Sequence, residues 1–138
     1  MSNGPFAVFV YGTLMRGEER AAKWPRPALR VEPAVIRAAL YDLGPYPAVT
    51  VGEDLVRGEL WRLAETDMTA TLAALDAIEC YGQGGVDLYV RRLVSCSTES
   101  GETCTAHCYF IADPRTLADG RKVSPGVEGW SRWRRRRD

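Results

Sequence analysis

Hydrophobic residues run unbroken from Phe6 to Val10 and on into Tyr11, then stop at Gly12. This is the pattern of a buried strand that feeds a tight turn. Gly17 to Lys23, charged and Ala-containing, predicts a short helix stopped by Trp24, Pro25 and Pro27. Ala34 to Leu43 reads as a strand, Gly44 and Pro45 as a turn, and Tyr46 to Val51 as a second strand closed by Gly52, Glu53 and Asp54. Leu55 to Leu63 alternates as a further strand. Thr66 and Asp67 then offer N-cap oxygens to a helix running to about Glu79 and ended by Gly82, Gly84 and Gly85. Val86 to Ser97 and Cys104 to Ile111 form a hairpin around Ser100 and Gly101, and beyond Asp113 and Pro114 the periodicity fades. Strands with one or two helices, without regular strand–helix alternation, favour an α+β or small-barrel domain over a doubly wound sheet.

Composition sharpens this picture in a few places. The 138 residues suit one domain, and 46% hydrophobic with 26% charged residues is a globular balance. Lys+Arg and Asp+Glu both number 18, which argues against a domain built to hold nucleic acid. Arg132, Arg134, Arg135, Arg136 and Arg137 nevertheless gather at one end, leaving the rest mildly acidic. The expected division is a domain over 1–130 and a basic, flexible tail over 131–138. A minor reading gives that tail to RNA, DNA or an acidic partner, with Trp130 and Trp133 available to stack. No apolar run approaches the roughly 20 residues of a membrane span, and Phe6 to Val10 is too short for a signal-peptide core; the expected setting is the cytoplasm. The four cysteines, Cys80, Cys96, Cys104 and Cys108, read as thiols, with Cys96 and Cys104 near each other if the hairpin register permits.

One residue breaks its own pattern. Met68, Leu72 and Leu75 make an apolar stripe on the helix, and Glu79, four residues beyond Leu75, falls near the centre of that stripe. It also sits in the last turn, where the helix dipole disfavours negative charge. Burial and dipole both raise a carboxyl pKa toward the range useful to a general base. The alternative is a helix that frays at Ile78, with Glu79 in solvent or paired to Arg91.

The turn at Gly12 and Thr13 can direct N–H groups at an anion or oxyanion, or be simply a turn. Gly12 and Gly17 have phosphate-loop spacing, but Glu18 and Glu19 stand where Lys and Ser or Thr are required, which excludes a nucleotide. His107 is the single histidine, so a Ser-His or Cys-His arrangement is disfavoured. A zinc site from Cys96, Cys104, His107 and Cys108 is disfavoured as well: residues 107 and 108 face opposite sides of a strand and no CxxC pair exists. Tyr46 and Tyr89 are either pocket walls or cross-strand partners.

In order along the chain, Val8 to Leu14 with Tyr11-Gly12-Thr13-Leu14, Leu43 to Val49, Gly58 to Trp61, Leu75 to Tyr81, Tyr89 to Arg91 and Gly126 to Trp130 resemble the γ-glutamylcyclotransferase-like (AIG2-like) family. The resemblance implies a small mixed β-barrel flanked by helices. It further implies a cavity in which Tyr11, Gly12, Thr13 and Leu14 bind a γ-glutamyl group through backbone N–H groups and Glu79 is the acid/base, with Tyr89 a further cavity residue. The activity implied is release of 5-oxoproline and a free amine from a small γ-glutamyl amide, with no metal, nucleotide or other cofactor called for. The glycine-rich loop Gly82 to Gly85 is expected to shape the leaving-group side. The competing reading is a binding module for γ-glutamyl or amino-acid-like ligands without turnover.

Overall fold

The computed structural model describes residues 5–134. Strand β1 (Ala7–Val10) leads through the Gly12 turn and a short 3₁₀ turn (Ala21–Lys23) to β2 (Arg30–Asp42) and β3 (Pro47–Arg62). A 3₁₀ turn (Glu65–Asp67) enters helix α1 (Met68–Ile78), followed by the hairpin β4 (Tyr89–Thr98) and β5 (Thr103–Ile111), a 3₁₀ turn (Pro114–Asp119) and the two-residue β6 (Arg121–Lys122). The sheet order is β3-β1-β5-β4-β2-β6, and β2 also pairs with β3, so five strands close into a barrel with β6 on its edge. All pairings between these strands are antiparallel except β1 with β5, which is what makes the barrel mixed.

β1 explains its continuous hydrophobic run. Ala7, Phe9 and Tyr11 point into the barrel with Ile36, Leu40, Val56, Leu60 and Cys108. Val8 and Val10 face outward and are covered by a second cluster with Leu14, Trp61, Met68 and Leu75, in which α1 takes part. A strand buried on both faces cannot alternate in polarity.

Several expectations change here. The helix expected over 17–23 is only the 3₁₀ turn Ala21–Lys23, and the flanking helices reduce to one α-helix among the described residues. The two strands read on either side of Gly52 are one, β3, with a bulge: Ala38 pairs with Asp54 while Ala39 pairs with Thr50. Residues 51–53 are extra residues in one strand of a pair, so a turn signal marks a bulge. Asp67 places no side-chain oxygen on the helix N-terminus; its carboxylate lies 3.6 Å from Arg26 Nε instead.

The C-terminal boundary also moves. Ser131 is fully buried; its N–H donates to the Leu55 carbonyl and its own carbonyl accepts from Arg57 N–H. Trp133 is buried in the barrel interior, its indole 3.4 Å from Asp42 Oδ1, so it is not available for stacking on a nucleic acid. The Trp130 ring lies under the Arg57 guanidinium, 4.7 Å from its centroid. Ser131 and Trp133 thus belong to the packed body, with Arg132 exposed between them, because the large apolar indole is stabilised by burial. Arg135, Arg136 and Arg137 lie outside the described residues. Among the described residues no helix is long and apolar enough to cross a membrane.

Helix α1 buries Met68, Thr71 and Leu75. Thr71 Oγ1 has no hydrogen-bond partner among the described residues. A buried hydroxyl without a partner costs about 1–3 kcal/mol, and Val has the same shape. Thr71→Val should therefore raise stability by about 1 kcal/mol in chemical denaturation; a loss would show that the hydroxyl is satisfied.

Candidate active site

The first strand, the end of α1 and the start of β4 converge on one cavity of about 100 Å³. Its walls include Tyr11, Gly12, Thr13 and Leu14, the end of α1 from Ile78 to Cys80, Tyr46, Pro47, Tyr89, Tyr109 and Arg20. The six residues that the resemblance implies for the site, Tyr11, Gly12, Thr13, Leu14, Glu79 and Tyr89, all line this cavity.

The turn after β1 is held by its carbonyls. The Gly12 carbonyl accepts from Met15 N–H at 3.1 Å, the Thr13 carbonyl from Arg20 N–H at 2.7 Å, and the Leu14 carbonyl from the Trp24 indole N–H at 2.9 Å. Trp24 is itself stacked on Trp61, ring centroids 4.0 Å apart. The N–H groups of Thr13 and Leu14 take no part in these bonds, which leaves donors for an anion beside the cavity. Gly12 is needed for space: a Cβ there would lie 2.6 Å from Pro47 Cγ and 2.8 Å from Pro47 Cδ. Pro47 in turn accepts a 2.7 Å hydrogen bond from the Tyr89 hydroxyl through its carbonyl. Gly12→Ala should displace Pro47 and loosen Tyr89, costing about 1–3 kcal/mol of stability. A melting temperature equal to that of the wild type would show that Pro47 yields freely.

Tyr11 turns its ring inward and donates from its hydroxyl to the Tyr109 carbonyl at 2.6 Å. Its side chain thus seats β1 against β5, and its contribution to the cavity is that of a wall. Tyr46 and Tyr89 are both cavity walls and pack edge-on, centroids 6.5 Å apart, but they are not cross-strand partners: Tyr46 lies in the turn before β3, and Tyr89 is paired with Ile111. Burial pushes both the Tyr11 and the Tyr89 phenol well above their ordinary range, which keeps them neutral donors.

Glu79 is the C-cap of α1, its N–H still donating to the Leu75 carbonyl at 2.9 Å. The chain then leaves the helix through Cys80 at φ 54, with Tyr81 N–H on the Asp76 carbonyl and Cys80 N–H on that of Ala77. This is a Schellman ending with a non-glycine residue in the left-handed position. It fixes the direction of Glu79 without fraying the helix. The Arg91 alternative fails as well: Arg91 lies 3.6 Å from Asp76 Oδ1, and the same oxygen accepts the Tyr109 hydroxyl at 2.6 Å. Burial raises the Glu79 carboxyl to about 7, against an opposing pull from Arg20. Desolvation carries the shift, and at neutral pH the group is poised to take or give a proton.

Sequence reasoning did not single out Arg20, which lies in the charged stretch 17–23 read as a short helix. It is the one cation on the cavity wall among the described residues. The Gly82 to Gly85 loop, expected to shape one side, is exposed and does not line the cavity; its flanks Cys80 and Leu88 do, joined by a Leu88 N–H to Cys80 carbonyl bond of 3.1 Å. His107 lies outside the cavity, in a shallow depression with Arg91 and Leu72. Cys96 and Cys104 are directly paired in the hairpin as free thiols. Among the described residues no three of His, Cys, Asp and Glu converge in a way that could hold a metal ion.

Comparison with known proteins turns this geometry into a family. The family described as gamma-glutamyl cyclotransferase, AIG2-like, matches residues 8–132. The chain belongs to that family. A γ-glutamylcyclotransferase family protein, ytfP, of Citrobacter rodentium is 38% identical over 88 residues, 63% of this chain and 69% of that protein. The Escherichia coli K12 YtfP is 33% identical over 87 residues, 63% of this chain and 70% of its own. The solution structure of E. coli ytfP superposes with TM-score 0.57 at 26% identity, covering 92% of this chain and 95% of that one. A solved gamma-glutamyl cyclotransferase superposes with TM-score 0.59 at 19% identity over 78% of this chain and 67% of its own, a likeness of fold. The barrel of this family member is therefore the γ-glutamyl cyclotransferase fold.

Proposed function

We propose that the protein is a γ-glutamyl cyclotransferase that converts a γ-glutamyl amide into 5-oxoproline and a free amine. The observation that carries this reading is a carboxyl raised to about 7, set across one small cavity from a turn with spare N–H donors. The substrate carries nucleophile and electrophile in one molecule. Holding the α-nitrogen against the γ-carbonyl carbon can be worth roughly 7–11 kcal/mol through orientation alone. An α-ammonium with a pKa near about 8 cannot attack while protonated, and Glu79 in its ionised form accepts that proton. The α-nitrogen then bonds to the γ-carbon, and negative charge collects on the γ-oxygen, where N–H groups of the Gly12 to Leu14 turn stabilise it. The proton held by Glu79 passes to the departing nitrogen as its bond to the γ-carbon breaks. As the ring closes, its nitrogen gives its second proton to Glu79, which passes it to the released amine; the products are the lactam and an ammonium, and Glu79 is again a carboxylate. Tyr89, kept neutral, shapes the wall against which the glutamyl carbons fold.

The test is mass-spectrometric detection of 5-oxoproline after incubation with γ-glutamyl dipeptides, γ-glutamylamines and γ-glutamyl-lysine. Release that depends on Glu79 supports the reading, and the relative rates rank the leaving amines. Ligand binding without release would favour the binding module instead.

A further inference from the structure

Arg20 enters the cavity wall from the chain that follows the turn, and two backbone bonds hold it there. Its N–H donates to the Thr13 carbonyl at 2.7 Å, and its carbonyl accepts from Lys23 N–H at 2.9 Å. Most other arginines near the barrel spend their guanidinium on the protein: Arg16 on Glu59, Arg57 on Glu99, Arg62 on Glu32, Arg91 on Asp76. Arg20 makes no ion pair or side-chain hydrogen bond with any described residue. It is thus a cation on the cavity wall with no ion-pair partner among the described residues, and its charge acts on two other groups of that wall, Glu79 and Tyr89.

The wall therefore offers one acid and one cation, Glu79 and Arg20. A γ-glutamyl group has one α-ammonium and one α-carboxylate. The ammonium must lie at Glu79 for its proton to be removed. We infer that Arg20 binds the α-carboxylate of the γ-glutamyl group and so is the residue that selects an α-amino acid head over its neutral analogues. This rests on the cyclotransferase reading and deepens it: with the carboxylate on Arg20, the N–H groups of the turn are left for the γ-oxygen, where charge develops. A guanidinium suits the task because its planar donors match both oxygens of a carboxylate.

The experiment compares a γ-glutamyl amide with the same compound carrying an α-carboxamide, on the wild type, Arg20→Gln and Arg20→Lys. Hydrogen bonds to a charged group of this kind make a difference of about 10- to 100-fold. The wild type should prefer the carboxylate substrate by that factor in kcat/KM. Arg20→Gln should lose it mainly through KM, so that the preference collapses, and Arg20→Lys should restore part of it. Equal losses on both substrates, or a preference that survives Arg20→Gln, would overturn the inference and leave the cyclotransferase reading standing. If the wild type turns over no γ-glutamyl amide, that reading fails on its own, and calorimetry with 5-oxoproline and its carboxamide decides for Arg20. Binding of 5-oxoproline that Arg20→Gln weakens about 10-fold or more sustains the carboxylate site. Absent or Arg20-independent binding refutes it.

Discussion

Glu79→Gln should lower 5-oxoproline formation by a factor of about 10² to 10⁴ and, at pH 8, melt at a higher temperature than the wild type. The two effects have one cause. In the folded protein the carboxyl holds its proton up to about 7, because burial penalises the charged form. In the unfolded chain it ionises near its ordinary value, so the native state binds more protons between about 4.5 and about 7. Wild-type stability therefore falls as pH rises through that window and stays lower above it. The full linkage of such a shift is on the order of 3 kcal/mol; part of the side chain remains in contact with water, which reduces the expected gain of the neutral variant to about 1–2 kcal/mol. Near pH 4 both states are protonated and the difference should vanish. For the wild type, kcat/KM should rise through about 7 as Glu79 ionises and level or fall once the substrate ammonium, near about 8, loses its proton in solution. Calorimetric melts of both proteins from pH 4 to 8, beside the rate profile, check the whole set. A Glu79→Gln protein that keeps its turnover would remove Glu79 from the chemistry.

The second large effect is structural. Trp133→Ala should destabilise the protein by about 3–5 kcal/mol, a shift of roughly 10–15 °C in melting temperature for a chain of this size. Trp133 is only 2% exposed and belongs to the barrel core together with Leu40 and Val56. Removing it leaves a cavity at the core and an Asp42 carboxylate with one fewer donor. Trp130→Ala, which gives up a half-buried ring under Arg57, should cost much less. Equal melting of the two variants would contradict the burial of Trp133.

Some of this molecule is written locally. Glu79 is legible because a helix stripe has a period, and an acid at an apolar position of that stripe is a visible contradiction. The β4–β5 hairpin is legible because Gly101 supplies the positive φ, here 89°, that its turn requires, and the register that follows pairs Cys96 with Cys104. Gly52 shows the limit. It permits the backbone of β3 to pass Ala39, where a Cβ would lie 2.7 Å from the Ala39 Cβ, and nothing local separates a glycine at a bulge from one at a turn. Arg20 shows another limit: its neighbours Glu18, Glu19 and Lys23 look like a solvated surface, and only the bond from its N–H to Thr13 brings it to the cavity. For Trp133 a signal existed. A large indole inside a run of arginines is a poor fit to a tail that stays in water.

The parallel pairing of β1 with β5 sets an order of events during synthesis. Val8 aligns with His107, and the Tyr11 hydroxyl rests on the Tyr109 carbonyl, 98 residues further along the chain. A ribosome adding about 5–20 residues per second exposes β1 several seconds before its partner exists. β2, β3 and α1 can assemble in the meantime, but the turn that bears the N–H donors has no seat on that side until β5 has emerged. The first part of the site to be translated is thus among the last to be fixed, and the nascent chain carries the apolar strand Ala7–Val10 unprotected on one side throughout that interval.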